Sequence, residues 1–135
     1  MAATDLAYTE AAELAGLIRA KKLSPVELTR AVLDRIERLN PVVNAFCTVT
    51  ADQALAAARE AEQALMKGAA RGPLHGIPFS IKDLHYTKDV RTMSGSFIFE
   101  QRVPDVDPPA VRRLRQAGGV MLVKTSTPEF GWKGL

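Results

Sequence analysis

The stretch Gly76-Ile77-Pro78-Phe79-Ser80-Ile81-Lys82-Asp83 predicts a β-strand that begins at Pro78 or just before it. Its large apolar residues alternate with smaller or polar ones at the two-residue period of a strand. Lys82 stands at the end of this strand, and Asp83 opens a long irregular segment. The carboxyl end of an apolar strand often carries functional groups in α/β proteins, so Lys82 is a candidate functional residue. A solvated lysine is the alternative, because most lysines are exposed.

Two helices are predicted near the amino terminus. The first runs from about Thr9 to Lys21, with apolar residues at helical spacing. The second starts with the capping box Ser24-Pro25-Val26-Glu27, in which the serine can cap the helix and the proline occupies its first turn. Asn40-Pro41 is expected to end this second helix.

A third, alanine-rich helix is predicted from a second capping box at Thr50 and Gln53 to about Lys67, with Gly68 as its stop. It follows the apolar run from Ala45 to Val49, where the single cysteine is expected to be a small buried thiol. A lone cysteine allows no disulfide within the chain.

The segment from Asp83 to Asp105 holds neither a helical nor a strand period. An irregular connection of about 20 residues is uncommon in a compact domain and tends to line a site when it occurs. We therefore expect a substrate-facing loop, and its candidate residues are Thr92, Met93, Ser94, Gly95 and Ser96.

A helix capped by Asp107 and opened by Pro108 is predicted after this loop, followed by a continuous apolar strand from Val120 to Val123. Strand, helix and strand in this order predict a right-handed parallel unit. Thr127-Pro128-Glu129 is typical of the start of one more helix. Two strands do not make a covered parallel sheet, so the chain is interpreted as part of a larger protein.

The length and composition predict one globular domain of 135 residues, 47% hydrophobic and 24% charged, and the order of strands and helices makes its class α/β. Its expected organisation is a helical region over residues 1–68 and a β-loop-α-β region over residues 69–135. The net charge is +3, and the densest basic group, Arg112, Arg113 and Arg115, favours a solvated helix face over nucleic-acid binding.

No apolar run approaches the ~20 residues of a membrane span, and residues 1–10 show no signal peptide, so a cytoplasmic location is expected.

Two patterns that would imply a cofactor or a metal are incomplete. The run from Gly118 to Thr125 would be a phosphate-binding P-loop if Val123 were glycine. His75 and His85 flank the predicted strand, but neither has a second ligand at zinc spacing. No cofactor and no metal are therefore expected.

Five segments of the chain resemble the amino-terminal third of amidase-signature enzymes. They are Gly72 to Asp83 (G-P-L-H-G-I-P-F-S-I-K-D), Val111 to Gly119, Lys124 to Phe130, Ser24 to Leu28 and Ile36 to Pro41. The resemblance implies a mixed sheet covered by helices, an activity on small-molecule carboxamides, and a catalytic role for Lys82 as base of a Ser-cisSer-Lys triad. Ser126 stands where the family often has asparagine.

Amide hydrolysis needs a base that takes the serine proton and returns one to the leaving amine. A lysine can do this only when it is neutral, and burial beside Ile77, Phe79 and Ile81 is expected to lower the pKa of Lys82. The family signature that supplies both serines is not found in residues 1–135, and Ser94 and Ser96 do not match it. The chain alone is therefore expected to be inactive.

Two alternatives accompany this interpretation. The chain is either a non-catalytic truncated module that pairs with itself or with a partner chain, or part of the amide-hydrolysing subunit of a tRNA-dependent amidotransferase. In each case we expect a homo-oligomer or association with the missing carboxyl-terminal part, because uncovered strands expose apolar surface and unpaired edges.

Overall fold

A computed structural model of the protein describes residues 6–133, so both ends of the expected domain lie outside the described residues. The architecture is α/β, with helices packed on a small mixed sheet, as predicted. The helices are α1 (Ala11–Arg19), α2 (Pro25–Val43), α3 (Ala51–Met66) and α4 (Pro109–Gln116), and the strands are β1 (Phe46–Val49), β2 (Pro78–Lys82) and β3 (Val120–Thr125). Two short 3₁₀ helices cover Phe97–Phe99 and Glu129–Gly131.

The start of α2 confirms the predicted serine cap. The Ser24 hydroxyl oxygen accepts hydrogen bonds from the backbone N–H groups of Val26 at 3.0 Å and Glu27 at 3.2 Å. The predicted end at Asn40-Pro41 is wrong, because α2 runs through Pro41 to Val43. A proline in the last turn removes only one helical hydrogen bond, and Asn44 ends the helix in the left-handed conformation with φ 48°.

Two other predicted caps are wrong, because their side chains are bonded to groups elsewhere in the protein. Thr50 precedes α3, but its hydroxyl donates to the carbonyl of Leu122 in β3 at 2.8 Å instead of capping the helix. Asp107 does not cap α4: its carboxylate accepts from the backbone N–H of Lys88 at 2.8 Å and pairs with Arg115 at 3.4 Å. Thr50 thus joins the start of α3 to β3, and Asp107 joins the long loop to α4.

The sheet has three strands in the order β1-β3-β2. Strands β2 and β3 are parallel, as the strand-helix-strand pattern predicts, with Pro78 opposite Val120 and Lys82 opposite Thr125. The apolar run after α2 forms strand β1, which adds an antiparallel pair with β3. Because β1 is an edge strand with alternating burial, Cys47 is exposed, and its expected burial is wrong.

The central strand β3 is buried from Val120 to Lys124 and separates two apolar clusters. Helices α2 and α3 cover one face, where Val120 and Leu122 pack with Ile36, Ala54 and Ala58. Helix α4 and the long loop cover the other face, where Met121 and Ile81 pack with Val90 and Val111. Among the described helices, none combines the length and the apolar character needed to cross a bilayer.

Gly118 makes the turn from α4 into β3 and provides a test of this packing. Its φ is +89°, and an added Cβ would lie 2.8 Å from the backbone Cα of His75. We expect Gly118→Ala to lower the free energy of unfolding by about 1–3 kcal/mol, measured by urea denaturation.

The matched control is Gly16→Ala in α1, where an added Cβ has no atom within 4 Å. Helix propensity predicts a gain of roughly 0.5–1 kcal/mol there. Equal effects of the two substitutions would contradict the described turn.

Candidate active site at the carboxyl edge of the sheet

Lys82 is the last residue of β2, and its side chain is exposed. Its ammonium group has no hydrogen-bond or ion-pair partner among residues 6–133. The neighbouring strand β3 ends in register with it at Thr125. Lys82 therefore presents a free amine at the edge where the two parallel strands end.

The expected burial of Lys82 by Ile77, Phe79 and Ile81 is wrong for the described residues. Side chains alternate between the faces of a strand, so Ile81 and Lys82 point in opposite directions. Ile81 packs in the cluster under α4, whereas Ser80 and Lys82 remain exposed. A groove of about 450 Å³ opens along β2 near Ser80, between the sheet and α2. Any desolvation of Lys82 must come from atoms outside residues 6–133.

Asp83 fixes the backbone immediately after Lys82. Its N–H donates to the carbonyl of Thr125 at 2.9 Å, and its carbonyl accepts from the N–H of Ser94 at 3.0 Å. The carboxylate is 2% exposed and accepts from the N–H of Met93 at 3.0 Å. The strand end that carries Lys82 is thus tied both to β3 and to the long loop.

Lys124 is a second lysine at this edge, and it is not among the residues that the sequence pattern singled out. It lies in β3 with 0% exposure, and its Nζ is 4.0 Å from the Asp83 carboxylate. The same Nζ donates to the carbonyl of His85 and to the hydroxyls of Thr87 at 2.8 Å and Thr92 at 2.9 Å. A lysine directly after four buried apolar strand residues is the sequence signal that could have identified it.

Burial lowers the pKa of Lys124 from the ordinary 10.5 to about 8, while the nearby Asp83 carboxylate acts in the opposite direction. Two lysines on neighbouring strands thus have contrasting surroundings: Lys82 is exposed and unpartnered among the described residues, and Lys124 is enclosed.

The candidate loop residues from Thr92 to Ser96 lie together at this edge, and their hydroxyls are engaged inside the protein. Thr92 and Ser96 are 0% and 3% exposed. Ser94 accepts from the Arg102 guanidinium at 2.6 Å, and Ser96 donates to the Glu129 carboxylate at 2.7 Å.

The other two candidate loop residues carry no hydroxyl: Met93 is half-buried, and Gly95, which has no side chain, is exposed. Gly95 has φ +69°, and an added Cβ would lie 2.6 Å from the carbonyl oxygen of Thr127. The loop is therefore held closely against the segment that follows β3.

Neither histidine side chain is hydrogen-bonded to Lys82 or to Lys124. His75 is 3% exposed, and its ring bonds the carbonyl of Ala61 at 2.8 Å and the N–H of Arg71 at 3.0 Å. His85 is exposed and contributes its carbonyl to Lys124. Within residues 6–133, no group of three or more His, Cys, Asp or Glu side chains is placed to hold a metal ion.

Comparison with known proteins agrees with this architecture. The chain matches the family described as Amidase over residues 27–134. It is 44% identical over 127 residues to a glutamyl-tRNA(Gln) amidotransferase subunit from Acidothermus cellulolyticus, covering 94% of this chain and 25% of that protein. The native peptide amidase of Stenotrophomonas maltophilia, a solved structure, superposes with a TM-score of 0.85 at 38% identity, covering 90% of this chain and 25% of that one.

The chain belongs to the amidase family, so the resemblance to amidase-signature enzymes is confirmed. A further relative, the corresponding amidotransferase subunit from Methylococcus capsulatus, is 49% identical over 119 residues, covering 88% of this chain and 24% of that protein. The chain spans about a quarter of the length of the relatives it matches.

The lowered pKa of Lys124 predicts a pH dependence of stability. Between pH about 8 and 10.5 the unfolded chain keeps this proton while the folded chain has released it, so Lys124 makes the free energy of unfolding rise with pH in that window. Lys124→Met should reduce this rise by up to about 1.4 kcal/mol per pH unit.

Urea denaturation from about pH 7 to pH 10.5 measures the difference between the two proteins, and the exposed lysine variant Lys67→Met is the control. Identical pH slopes for the wild type and Lys124→Met would show that Lys124 has an ordinary pKa.

Proposed function

We propose that this chain supplies the catalytic base of an amidase that hydrolyses small-molecule carboxamides to a carboxylate and ammonia or an amine. Lys82 is the base, and the two serines of the Ser-cisSer-Lys triad come from sequence outside residues 1–135. The observation that carries the proposal is the free amine of Lys82 at the end of β2, on a backbone that Asp83 ties to β3 and to the loop. Membership of the amidase family supports it.

The chemistry requires a neutral amine at the moment of reaction. Lys82 accepts a proton from the bridging serine, which accepts one from the nucleophilic serine as that oxygen attacks the amide carbon. The same path then delivers one proton to the leaving nitrogen as the C–N bond breaks, which leaves an acyl-serine. One water molecule attacks this acyl-serine with the same relay as base, which releases the carboxylate and restores the serine. Because the described residues leave Lys82 exposed, the part of the enzyme that brings the serines must also exclude water from this amine.

The segment from Thr92 to Ser96 forms one wall of the substrate pocket in this proposal. Its hydroxyls are occupied by internal hydrogen bonds, so Met93 and Gly95 are the groups it offers to a substrate. Rigid loop geometry favours precise placement of a substrate relative to the base.

The amide-hydrolysing subunit of a tRNA-dependent amidotransferase is a second candidate. The identities of 44% and 49% to amidotransferase subunits from two bacteria favour it. The two candidates use the same chemistry at Lys82 and differ in the fate of the ammonia, which is released to solvent in one case and transferred onward in the other.

The catalytic role is tested in a chimaera that joins residues 1–135 to the carboxyl-terminal remainder of the related peptide amidase. We expect Lys82→Ala to lower ammonia release by at least about 10³-fold, because the general base is lost. The exposed control Lys67→Ala should leave the rate unchanged. Retention of activity in Lys82→Ala, with the control equally active, would exclude this mechanism.

Association with the carboxyl-terminal remainder or with a second copy is part of the proposal. The described chain leaves β1 and β2 as sheet edges and exposes Phe97, Ile98 and Trp132 at 85%, 76% and 90%. These surfaces need cover in the complete protein. A cytoplasmic location is also proposed, and the exposed free thiol of Cys47 supports a reducing compartment.

The isolated chain should therefore self-associate, and light scattering should give a mass above that of one chain. Replacing Phe97, Ile98 and Trp132 together by serine should shift the distribution towards the monomer. A monodisperse wild-type monomer would contradict the proposal that these exposed surfaces are covered in the complete protein.

A further inference from the structure

The Lys124 amino group sits in a cage of oxygen atoms. All three of its N–H groups are used, by the carbonyl of His85 and the hydroxyls of Thr87 and Thr92. The Asp83 carboxylate oxygen nearest to it, at 4.0 Å, is buried and accepts no hydrogen bond from a described residue. These oxygen atoms belong to the end of β2 and to both halves of the loop that follows it. The Lys124 side chain therefore joins the strand end to the loop.

The same loop is hydrogen-bonded to Lys82 itself and to Asp83, which follows it in the chain. The N–H of His85 donates to the carbonyl of Lys82 at 3.0 Å, and the N–H groups of Met93 and Ser94 donate to Asp83. Removing the amino group would release His85 and Thr92, which are neighbours of these contacts in the chain. The geometry of Lys82 and of the candidate pocket wall therefore depends on the same cage.

We propose that Lys124 is a positioning residue, whose buried amino group closes loop 83–94 onto the sheet and thereby fixes Lys82 and the segment Thr92–Ser96. The closing of the loop follows from the contacts of this chain alone. Its consequence for catalysis rests on the proposed function of Lys82.

The cage is built for a nitrogen donor. The Thr92 hydroxyl already donates to the carbonyl of Val90 at 3.0 Å, and that of Thr87 to the carbonyl of His85 at 3.3 Å. Both hydroxyls thus face Lys124 with lone pairs. An apolar residue at position 124 leaves these acceptors unmatched, at a cost of about 1–3 kcal/mol for each buried group.

Several charged or titratable groups surround this amino group. They are the Asp83 carboxylate at the end of β2, the Cys47 thiol on β1, Arg102 in the loop and Asp107 before α4. The two carboxylates favour the protonated form, whereas Arg102 and burial oppose it.

The lowered pKa of Lys124 determines whether opening of the loop becomes easier or harder as the pH rises. Opening the loop would return the amino group to water and to an ordinary pKa, so opening takes up a proton between pH about 8 and 10.5. Opening therefore becomes less favourable as the pH rises through that window, and the loop amides should gain protection from exchange.

Amide hydrogen exchange of the 135-residue chain, followed by nuclear magnetic resonance, tests the closing of the loop. In Lys124→Met the amides of Met93 and Ser94 should exchange at least about 10-fold faster, while amides in the middle of α2 should keep their protection. The matched control Lys67→Met replaces an exposed lysine and should change neither set. Unchanged protection of Met93 and Ser94 in a folded Lys124→Met protein would overturn the proposal.

Two measurements keep the test decisive if Lys124→Met does not fold. Thr92→Val preserves the shape of one cage member but removes its acceptor, and it should also accelerate exchange at Met93 and Ser94. In the wild type, exchange at these two amides, corrected for the intrinsic rate, should slow as the pH passes about 8. Flat corrected exchange across this pH range, together with unchanged exchange in Thr92→Val, would overturn the proposal.

The catalytic consequence is tested in the chimaera with the peptide amidase remainder. We expect Lys124→Met to lower kcat about 10²-fold, the effect of a misplacement of about 1 Å, with unchanged circular dichroism. The loss should fall on kcat far more than on KM, because the base acts in the transition state and not in binding the substrate. A Lys124→Met chimaera with the kcat of the parent, or one that changes KM alone, would overturn the positioning role.

The failure of the proposed function is distinguishable from the failure of this inference. If Lys82→Ala retains activity, the proposed function fails, and the exchange experiment still decides the role of Lys124 in the loop.

Discussion

The structure depends on the pairing of β3 with a strand on each of its sides. Val120 to Lys124 are buried, β2 runs parallel on one side and β1 antiparallel on the other. Helices α2 and α3 pack on one face and α4 on the other, so β3 is the element that joins the apolar clusters around the sheet. The turn at Gly118 and the hydrogen bond from the Val120 N–H to the Ile77 carbonyl at 2.8 Å set the register from which both lysines take their positions.

Two lysines at one edge of the sheet illustrate how environment decides the role of a residue type. Lys82 ends an edge strand with its side chain exposed, so it is free to meet groups that the described residues do not provide. Lys124 lies one strand inward, where loop 83–94 closes over it and supplies only oxygen atoms. An amino group with all its hydrogens engaged holds the structure together, whereas an amino group without a partner is available to groups from outside the described residues.

The chain shares its architecture with much longer amidases, and its surface shows the open edges expected of one part of such a protein. The sheet ends in unpaired strands, and the groove along β2 is lined by apolar residues of α2 and β3. A desolvated active site cannot be built from an edge that is open to water. The proposed hydrolysis at Lys82 is therefore assigned to the complete enzyme, in which residues 6–133 would supply the base and one wall of the pocket.

The sequence by itself determined the features that depend on local pattern: the alternation that makes β2, the Ser24 cap of α2, the irregular loop and the parallel strand-helix-strand unit. The motif around Lys82 also identified the family. Tertiary structure decided what depends on distant partners. Thr50 and Asp107 are residue types that commonly cap helices, yet the Thr50 hydroxyl donates to the carbonyl of Leu122. The Asp107 carboxylate accepts from the N–H of Lys88 and pairs with Arg115. The exposure of Lys82 and the burial of Lys124 could not be predicted from the local sequence pattern either. Burial depends on which segments fold over a side chain and not on its neighbours in sequence.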